Sequence, residues 1–169
     1  MPDPRLSEAS YIVLGLLERM APATPYDLKQ IASLSTTNFW SVPHTQLYAE
    51  CARLAREGLL LEEREQEGRR RRIYRLSELG EQALERWRTA PTEHAFELRD
   101  TATLKLFFGA DPRALAESQV ESHTRRLESF RELQERLSDA PEGWRLALQA
   151  GIGHELEFIR FWSELAQAD

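Results

Sequence analysis

One cysteine, Cys51, stands in a chain of 169 residues. A lone thiol excludes an internal disulfide and a cysteine-based zinc site. Placed on the apolar side of a helix, Cys51 reads as a small buried hydrophobe. Long hydrophobic runs are missing as well. With no transmembrane span, signal peptide or lipidation motif, the chain is expected to be cytoplasmic. Glycine-rich phosphate loops and nucleophile elbows are absent. His44, His94, His123 and His154 are scattered. His154-Glu155-Leu156-Glu157-Phe158 starts like a zinc-protease helix but has Phe158 where a second histidine is needed. These residues lead us to expect no enzyme, no metal and no cofactor. Internal repeats and low-complexity segments are lacking too, apart from one arginine run.

Charge is plentiful but unevenly placed. The chain has 22 Lys and Arg against 28 Asp and Glu. Residues 1–90 hold 13 basic and 13 acidic side chains, whereas residues 91–169 hold 9 and 15. An acidic second half repels nucleic acid, so any DNA contact belongs to the first half.

The first half reads as three helices, a hairpin and a fourth helix. Ser7 is a good N-cap, and Ala9, Ile12, Val13, Leu16, Leu17 and Met20 form one apolar stripe. Ala21-Pro22 ends that helix. Thr24-Pro25 opens the next, with Tyr26, Leu28, Ile31 and Ala32 as core candidates. Ser33 to Val42 reads as a connection. Pro43 opens a third helix, buried through Leu47, Cys51 and Leu54 and ended at Gly58. An alternating strand, a turn at Glu67-Gly68 and a return strand follow. Leu59, Leu61, Ile73 and Leu76 are expected to face inward. Ser77 caps a fourth helix carrying Leu79, Ala83, Leu84 and Trp87. Three short helices followed by strand-turn-strand make a winged helix-turn-helix.

Five arginines, Arg69, Arg70, Arg71, Arg72 and Arg75, crowd the hairpin's tip and return limb. Arg70 and Arg71 at the tip are the candidates for a phosphate or the minor groove. Glu62, Glu63, Glu65 and Glu67 on the other limb offer them ion-pair partners, and a solvated charge run also blocks edge pairing. At the start of the third helix His44, Thr45, Gln46 and Tyr48 present polar groups suited to base edges or phosphates. Gln46 is the best candidate for a base, by two-point pairing with adenine. Tyr48 either bonds a phosphate or packs its ring on the second helix. Lys29, Ser35, Thr36 and Thr37 flank the groove as candidate backbone contacts.

Beyond a boundary at Thr89–Thr92 the chain reads as wholly helical. A helix over 93–108 carries Phe96, Leu98, Leu104, Leu106, Phe107 and Phe108. Asp111-Pro112 caps the next. Ala116, Val120, His123, Leu127, Phe130, Gln134 and Leu137 then alternate at steps of 4 and 3, a heptad-like seam. In that seam His123 and Gln134 are expected to be hydrogen-bonded and to fix register. A last helix, 142–167, is apolar on more than one side and needs more than one partner. A second subunit is the expected cover, giving a homodimer through the C-terminal helices.

Several segments resemble the PadR-like transcriptional regulators, in the longer group with a helical virulence-activator-type C-terminal domain. They are Ile12-Val13-Leu14-Gly15-Leu16-Leu17, Phe39-Trp40-Ser41-Val42-Pro43-His44-Thr45-Gln46-Leu47-Tyr48, Leu54-Ala55-Arg56-Glu57-Gly58-Leu59 and Arg72-Ile73-Tyr74-Arg75-Leu76-Ser77-Glu78-Leu79-Gly80. The second half is matched more loosely, through Leu104-Lys105-Leu106-Phe107-Phe108 and the Trp162 helix. Thr24-Pro25-Tyr26 departs from the family's histidine-glycine-tyrosine, and Pro43 and Thr45 replace its serines. The resemblance implies a homodimeric DNA-binding regulator, usually a repressor, on a palindromic promoter site. Some relatives release DNA on binding phenolic acids or hydrophobic drugs. Trp87, Trp144 and Trp162 are read as core and dimer contacts, the other reading being the lining of an effector pocket.

The expected architecture is mainly α with a small β-hairpin. Residues 1–88 form the winged helix DNA-binding domain and residues 89–169 a helical dimerisation domain. The alternative function is a winged-helix protein–protein interaction module without specific DNA binding.

Overall fold

A computed structural model describes residues 6–36, 40–64, 71–92 and 98–167. The chain divides into two compact units, Met1–Glu93 and His94–Asp169.

In the first unit α1 (Glu8–Met20), α2 (Pro25–Leu34) and α3 (His44–Arg56) precede β1 (Leu60–Arg64), β2 (Arg72–Leu76) and α4 (Glu78–Thr89). Local chemistry sets the boundaries. Thr24 and Asp27 form a capping box, with the Thr24 backbone N–H donating to Asp27 Oδ2 at 2.9 Å. The end of α3 is closed by two backbone bonds, Gly58 N–H to the Ala55 carbonyl and Leu59 N–H to the Leu54 carbonyl. Gly58, at φ 79°, supplies the left-handed turn. Leu54 and Leu59 are both buried, which adds the apolar contact that accompanies this closure. Ser77 joins the next step to it, donating its hydroxyl to the Gly58 carbonyl at 2.7 Å while accepting from Gly80 N–H at 3.1 Å.

β1 and β2 pair antiparallel, with Leu60 opposite Leu76, Glu62 opposite Tyr74 and Arg64 opposite Arg72. Ala23 and Tyr74 exchange backbone bonds, so the α1–α2 connection extends the pairing beyond β2. The core gathers Val13, Leu14 and Leu17 of α1, Leu28 of α2, Leu47, Cys51 and Leu54 of α3, Leu59, Leu60, Tyr74 and Leu84.

The hairpin's inward face differs from expectation. Leu60 and Tyr74 are buried, whereas Leu61 is exposed and Ile73 is only half-buried. Leu59 closes the α3 turn and precedes the strand, so counting alternation from it slips the face by one residue. Tyr26, Leu79 and Trp87 are exposed instead of core. Trp87 lies stacked on Tyr11, ring centroids 4.6 Å apart. The Glu67-Gly68 turn falls outside the described residues.

In the second unit α5 (Thr101–Phe107) is capped by Asp100, and α6 (Pro112–Arg136) by Asp111. Phe96 lies outside the described residues, and Leu98 precedes α5. α6 and α7 (Glu142–Gln167) pack along each other as a helical hairpin. Ala116 shares a core cluster with Trp162, His123 contacts Glu155, and Phe130 lies against Gly151. Those three pairings run antiparallel down the hairpin. Leu127, Phe130 and Leu148 are buried as well. Gln134 is exposed rather than in the seam, and Leu133 takes the half-buried place. At that end of α6 the covered positions are Phe130, Leu133 and Leu137, so the contact line has moved round the helix away from Gln134.

Gly80 tests how tightly α4 is seated. A Cβ there would stand 2.2 Å from the Leu59 carbonyl oxygen. Helix propensity alone favours Gly→Ala by about 1 kcal/mol. The clash is with backbone that already accepts from Ser77 N–H, so it dominates. Gly80→Ala is expected to destabilise the chain by about 2 kcal/mol or more, measured by urea unfolding.

Candidate nucleic-acid interface

α3 is buried along one side by Leu47, Glu50, Cys51 and Leu54. That leaves His44, Thr45, Gln46 and Tyr48 exposed at its N-terminal end. All four sequence candidates therefore share the exposed first turns of one helix. Pro43 starts it with no side-chain cap, its carbonyl accepting from the Gln46 and Leu47 amides. Tyr48 is 45% exposed, so its ring is not core.

The flanking candidates are less uniform. Lys29 is half-buried on α2. Ser35 spends its hydroxyl on the Ile31 carbonyl at 2.7 Å. Thr36 accepts at its carbonyl from Trp40 N–H. Thr37, Arg69 and Arg70 lie outside the described residues. Arg71 is exposed at the start of the return limb. Its charge reaches Asp27 at the head of α2. The Asp27 carboxyl is held below the usual carboxylate range, first by the Thr24 amide, then by the Thr24 hydroxyl, with Arg71 adding a smaller pull against the effect of burial.

Some of the wing arginines do meet the opposite limb's glutamates. Arg75 Nε lies 3.8 Å from Glu63, and Arg72 Nε lies 3.5 Å from Glu62. Arg64 Nε approaches the same Glu62 at 3.7 Å. Tyr74 donates its hydroxyl to Glu62 at 3.2 Å. Burial pushes the Tyr74 phenol above its ordinary range.

A polar cluster sequence reasoning missed fixes α3 on α1. Ser10, fully buried, donates to Glu50 Oε1 at 2.5 Å and accepts from Ser7 N–H at 2.8 Å. Arg53 grips Glu50 with Nε at 3.1 Å and Nη2 at 2.6 Å, and reaches Ser10 Oγ with Nη2 at 3.0 Å. Its Nη1 serves Glu57 at 2.6 and 2.8 Å. Burial is the largest influence on the Glu50 carboxyl and would raise it. The Arg53 and Ser10 hydrogen bonds together with the Arg53 charge outweigh burial, and the group sits below the usual glutamate range. The legible signal was a glutamate on the Leu47–Leu54 stripe with an arginine three residues on.

In the second unit Glu155 is buried between His123 Nδ1, at 2.5 Å, and Arg126 Nε, at 3.0 Å. Phe158 contacts both His123 and His154. The His154-Glu155 pair is thus built into helix packing. Among the described residues, no cluster of His, Cys, Asp and Glu could hold a metal ion. No described helix is long and apolar enough to cross a membrane.

A winged helix with an exposed, firmly seated third helix and a basic hairpin defines a class of regulators, and comparison with known proteins makes the class specific. Residues 13–86 match the transcriptional regulator PadR-like family, and residues 98–168 match the virulence activator alpha C-terminal domain. The chain thus carries a PadR-like family domain followed by a virulence activator alpha C-terminal domain, the arrangement of the longer PadR group. It is 29% identical over 100 residues to the negative transcriptional regulator PadR of Bacillus subtilis (strain 168), across 58% of this chain. The match spans 54% of that relative's length. The crystal structure of Bacillus subtilis PadR in complex with operator DNA superposes with a TM-score of 0.85 at 24% identity, covering 99% of this chain and 100% of that one. PadR of the same organism in complex with p-coumaric acid gives 0.79 at 22% identity, over 93% and 95%. At these identities the superpositions establish the shared fold.

Glu50→Gln keeps the shape and removes the charge. It is expected to cost on the order of 1–3 kcal/mol at neutral pH. Because the folded-state carboxyl is depressed, its stabilisation is present above the usual glutamate value of about 4.3 and is lost as pH falls through the folded-state value. The stability gap between wild type and Glu50→Gln, measured by denaturant titration, should therefore narrow as pH drops below about 4.

Proposed function

We propose that this chain is a sequence-specific DNA-binding transcriptional regulator, acting as a homodimer on a palindromic promoter site and most simply as a repressor. The observation that carries this reading is the exposed His44-Thr45-Gln46 turn and Tyr48 on a helix whose other face is locked into the core. The family assignment and the operator complex of the Bacillus subtilis relative support it. Gln46 reads a base edge; His44, Thr45 and Tyr48 read bases or hold phosphates; Arg70 and Arg71 dock the wing. Lys29, Ser35 and Thr36 add backbone contacts, Ser35 through groups other than its committed hydroxyl proton. A regulator of this kind works in the cytoplasm and performs no catalysis.

Dimerisation through the second unit is supported by its exposed apolar side chains. Leu104, Phe107 and Phe108 project from the α5 end, and Leu146, Leu156 and Phe161 from α7. Covering them requires another apolar surface, and a second copy offers the same residues. Paired recognition helices then lie about one DNA turn apart, ~34–36 Å, or a multiple of it. The relative's complex with p-coumaric acid supports a small phenolic or hydrophobic effector here as well.

Gln46→Ala should cost about 1–3 kcal/mol on the specific site and little on random duplex. Arg70→Ala with Arg71→Ala should weaken binding at every sequence and flatten its salt dependence. Both are read by fluorescence anisotropy across a salt series. Salt-insensitive binding would favour a protein-contact module, and equal losses on both duplexes would remove Gln46 from base reading. Addition of p-coumaric acid to the bound complex should release DNA if the effector is shared.

A further inference from the structure

The wing carries a charge arrangement that neither the tip arginines nor the recognition helix accounts for. Arg64, the last residue of β1, pairs in register with Arg72, the first residue of β2. Like charges placed directly opposite on a sheet face repel, so a cross-strand arginine pair asks for an anion. Glu62 supplies one, two residues back on the same face. Its Oε1 lies 3.7 Å from Arg64 Nε and 3.5 Å from Arg72 Nε.

The quality of these contacts matters. Charge-assisted N–H···O bonds normally close to about 2.7–2.9 Å. Arg53 and Glu50 in the same unit reach 2.6 Å. At Glu62 both guanidiniums stay well outside that range. They are also open to solvent, with 66% of the Arg64 side chain and 49% of the Arg72 side chain exposed, against 25% for Glu62. The carboxylate is held from below by Tyr74, whose hydroxyl donates to Oε2 and whose ring is buried in the core. Two exposed cations thus share one tethered anion, and Arg72 also hydrogen-bonds the Tyr74 hydroxyl. Among these three described groups the charges sum to one positive unit.

We propose that Arg64 and Arg72 form a phosphate-binding pair at the root of the wing, with Glu62 as a built-in counter-ion whose place a DNA phosphate takes. The inference rests on the DNA-binding reading above and adds to it a pair of contacts and a brake. A phosphate oxygen bridges the two forks with the short bonds that Glu62 does not make, while Tyr74 retains the carboxylate. Glu62 therefore lowers affinity for any duplex and keeps the unliganded wing from binding anions indiscriminately. The pair contacts backbone and carries no sequence information.

Anisotropy titrations of a mixed-sequence duplex across a salt series test this on the full chain. Glu62→Gln keeps an acceptor for Tyr74 and removes the competing charge. It should tighten binding about three- to tenfold, in line with the gain of one unscreened cation at close range. Arg64→Ala and Arg72→Ala should each weaken binding on specific and random duplex alike. Each should also reduce the log–log salt slope by about 0.9 per lost phosphate contact. Thermal unfolding of each variant checks that the fold is intact. Glu62→Gln that binds no tighter than wild type overturns the counter-ion role. Arginine variants with wild-type affinity and slope, beside a wild type that binds well, overturn the pair while leaving the broader reading standing. A wild type that binds no duplex at low salt sinks both.

Discussion

What α3 presents to a partner depends on one carboxylate buried where that helix meets α1. Leucine contacts among Leu47, Leu54, Val13 and Leu17 are favourable over a range of rotations and slides, because apolar burial has no direction. Hydrogen bonds have direction. Glu50 can accept from Ser10 and from the Arg53 fork in one orientation of α3, and Arg53 at the same time closes onto Glu57 one turn further on. Removing one partner leaves the others under-satisfied, so the cluster resists partial loosening. The exposed turn from His44 to Gln46 inherits its placement from that cluster. If Gln46 reads a base as proposed, a shift of about an ångström would break its two-point contact, so rigidity behind the helix would serve its exposed front.

The same logic orders the second unit. Glu155 lies between His123 and Arg126 midway along the α6–α7 hairpin, with apolar clusters above and below it. Two long helices with apolar faces can slide by a turn at modest cost, and a paired buried carboxylate penalises the slide. His123, expected from its seam position to be hydrogen-bonded, meets its partner there. Trp162, read as a core residue, is fully buried, yet its indole N–H has no hydrogen-bond partner among the described residues.

Local signals were the legible ones. Ser7, Thr24-Pro25, Gly58 and Ser77 each fix a helix end through bonds reaching five residues or fewer, and the sequence displays such bonds directly. The exposure of His44, Thr45, Gln46 and Tyr48 was legible for the same reason, since they sit off a clean Leu47-Cys51-Leu54 stripe. What failed depended on partners distant in sequence. Tyr74 is apolar enough to bury and polar enough to expose. Its burial is decided by Ala23, fifty-one residues earlier, pairing with its backbone. Tyr26 is a local exception: it lies two residues from the core residue Leu28 but faces out, its hydroxyl accepting from Gln30 four residues on. Glu50 was missed because its stripe position and Arg53 hint at a buried pair, but the partner that completes it, Ser10, lies forty residues away.

Net charge is a poor guide to what such a molecule can hold. The chain is formally −6, yet its candidate interface is built where basic groups gather. Charges further apart than a Debye length, about 8 Å at physiological salt, are largely screened when exposed. What a phosphate meets is therefore set by groups within that reach. Among the described residues at the wing root, two exposed guanidiniums, Arg64 and Arg72, stand within 4 Å of one tethered carboxylate, Glu62. Glu62 offsets one of those two positive charges. A wing of unopposed arginines would bind any polyanion, and a fully paired one would bind none. Carboxylates loosely held beneath exposed arginines would, on the proposal above, keep general electrostatic affinity modest and leave discrimination between duplexes to the exposed turn of α3.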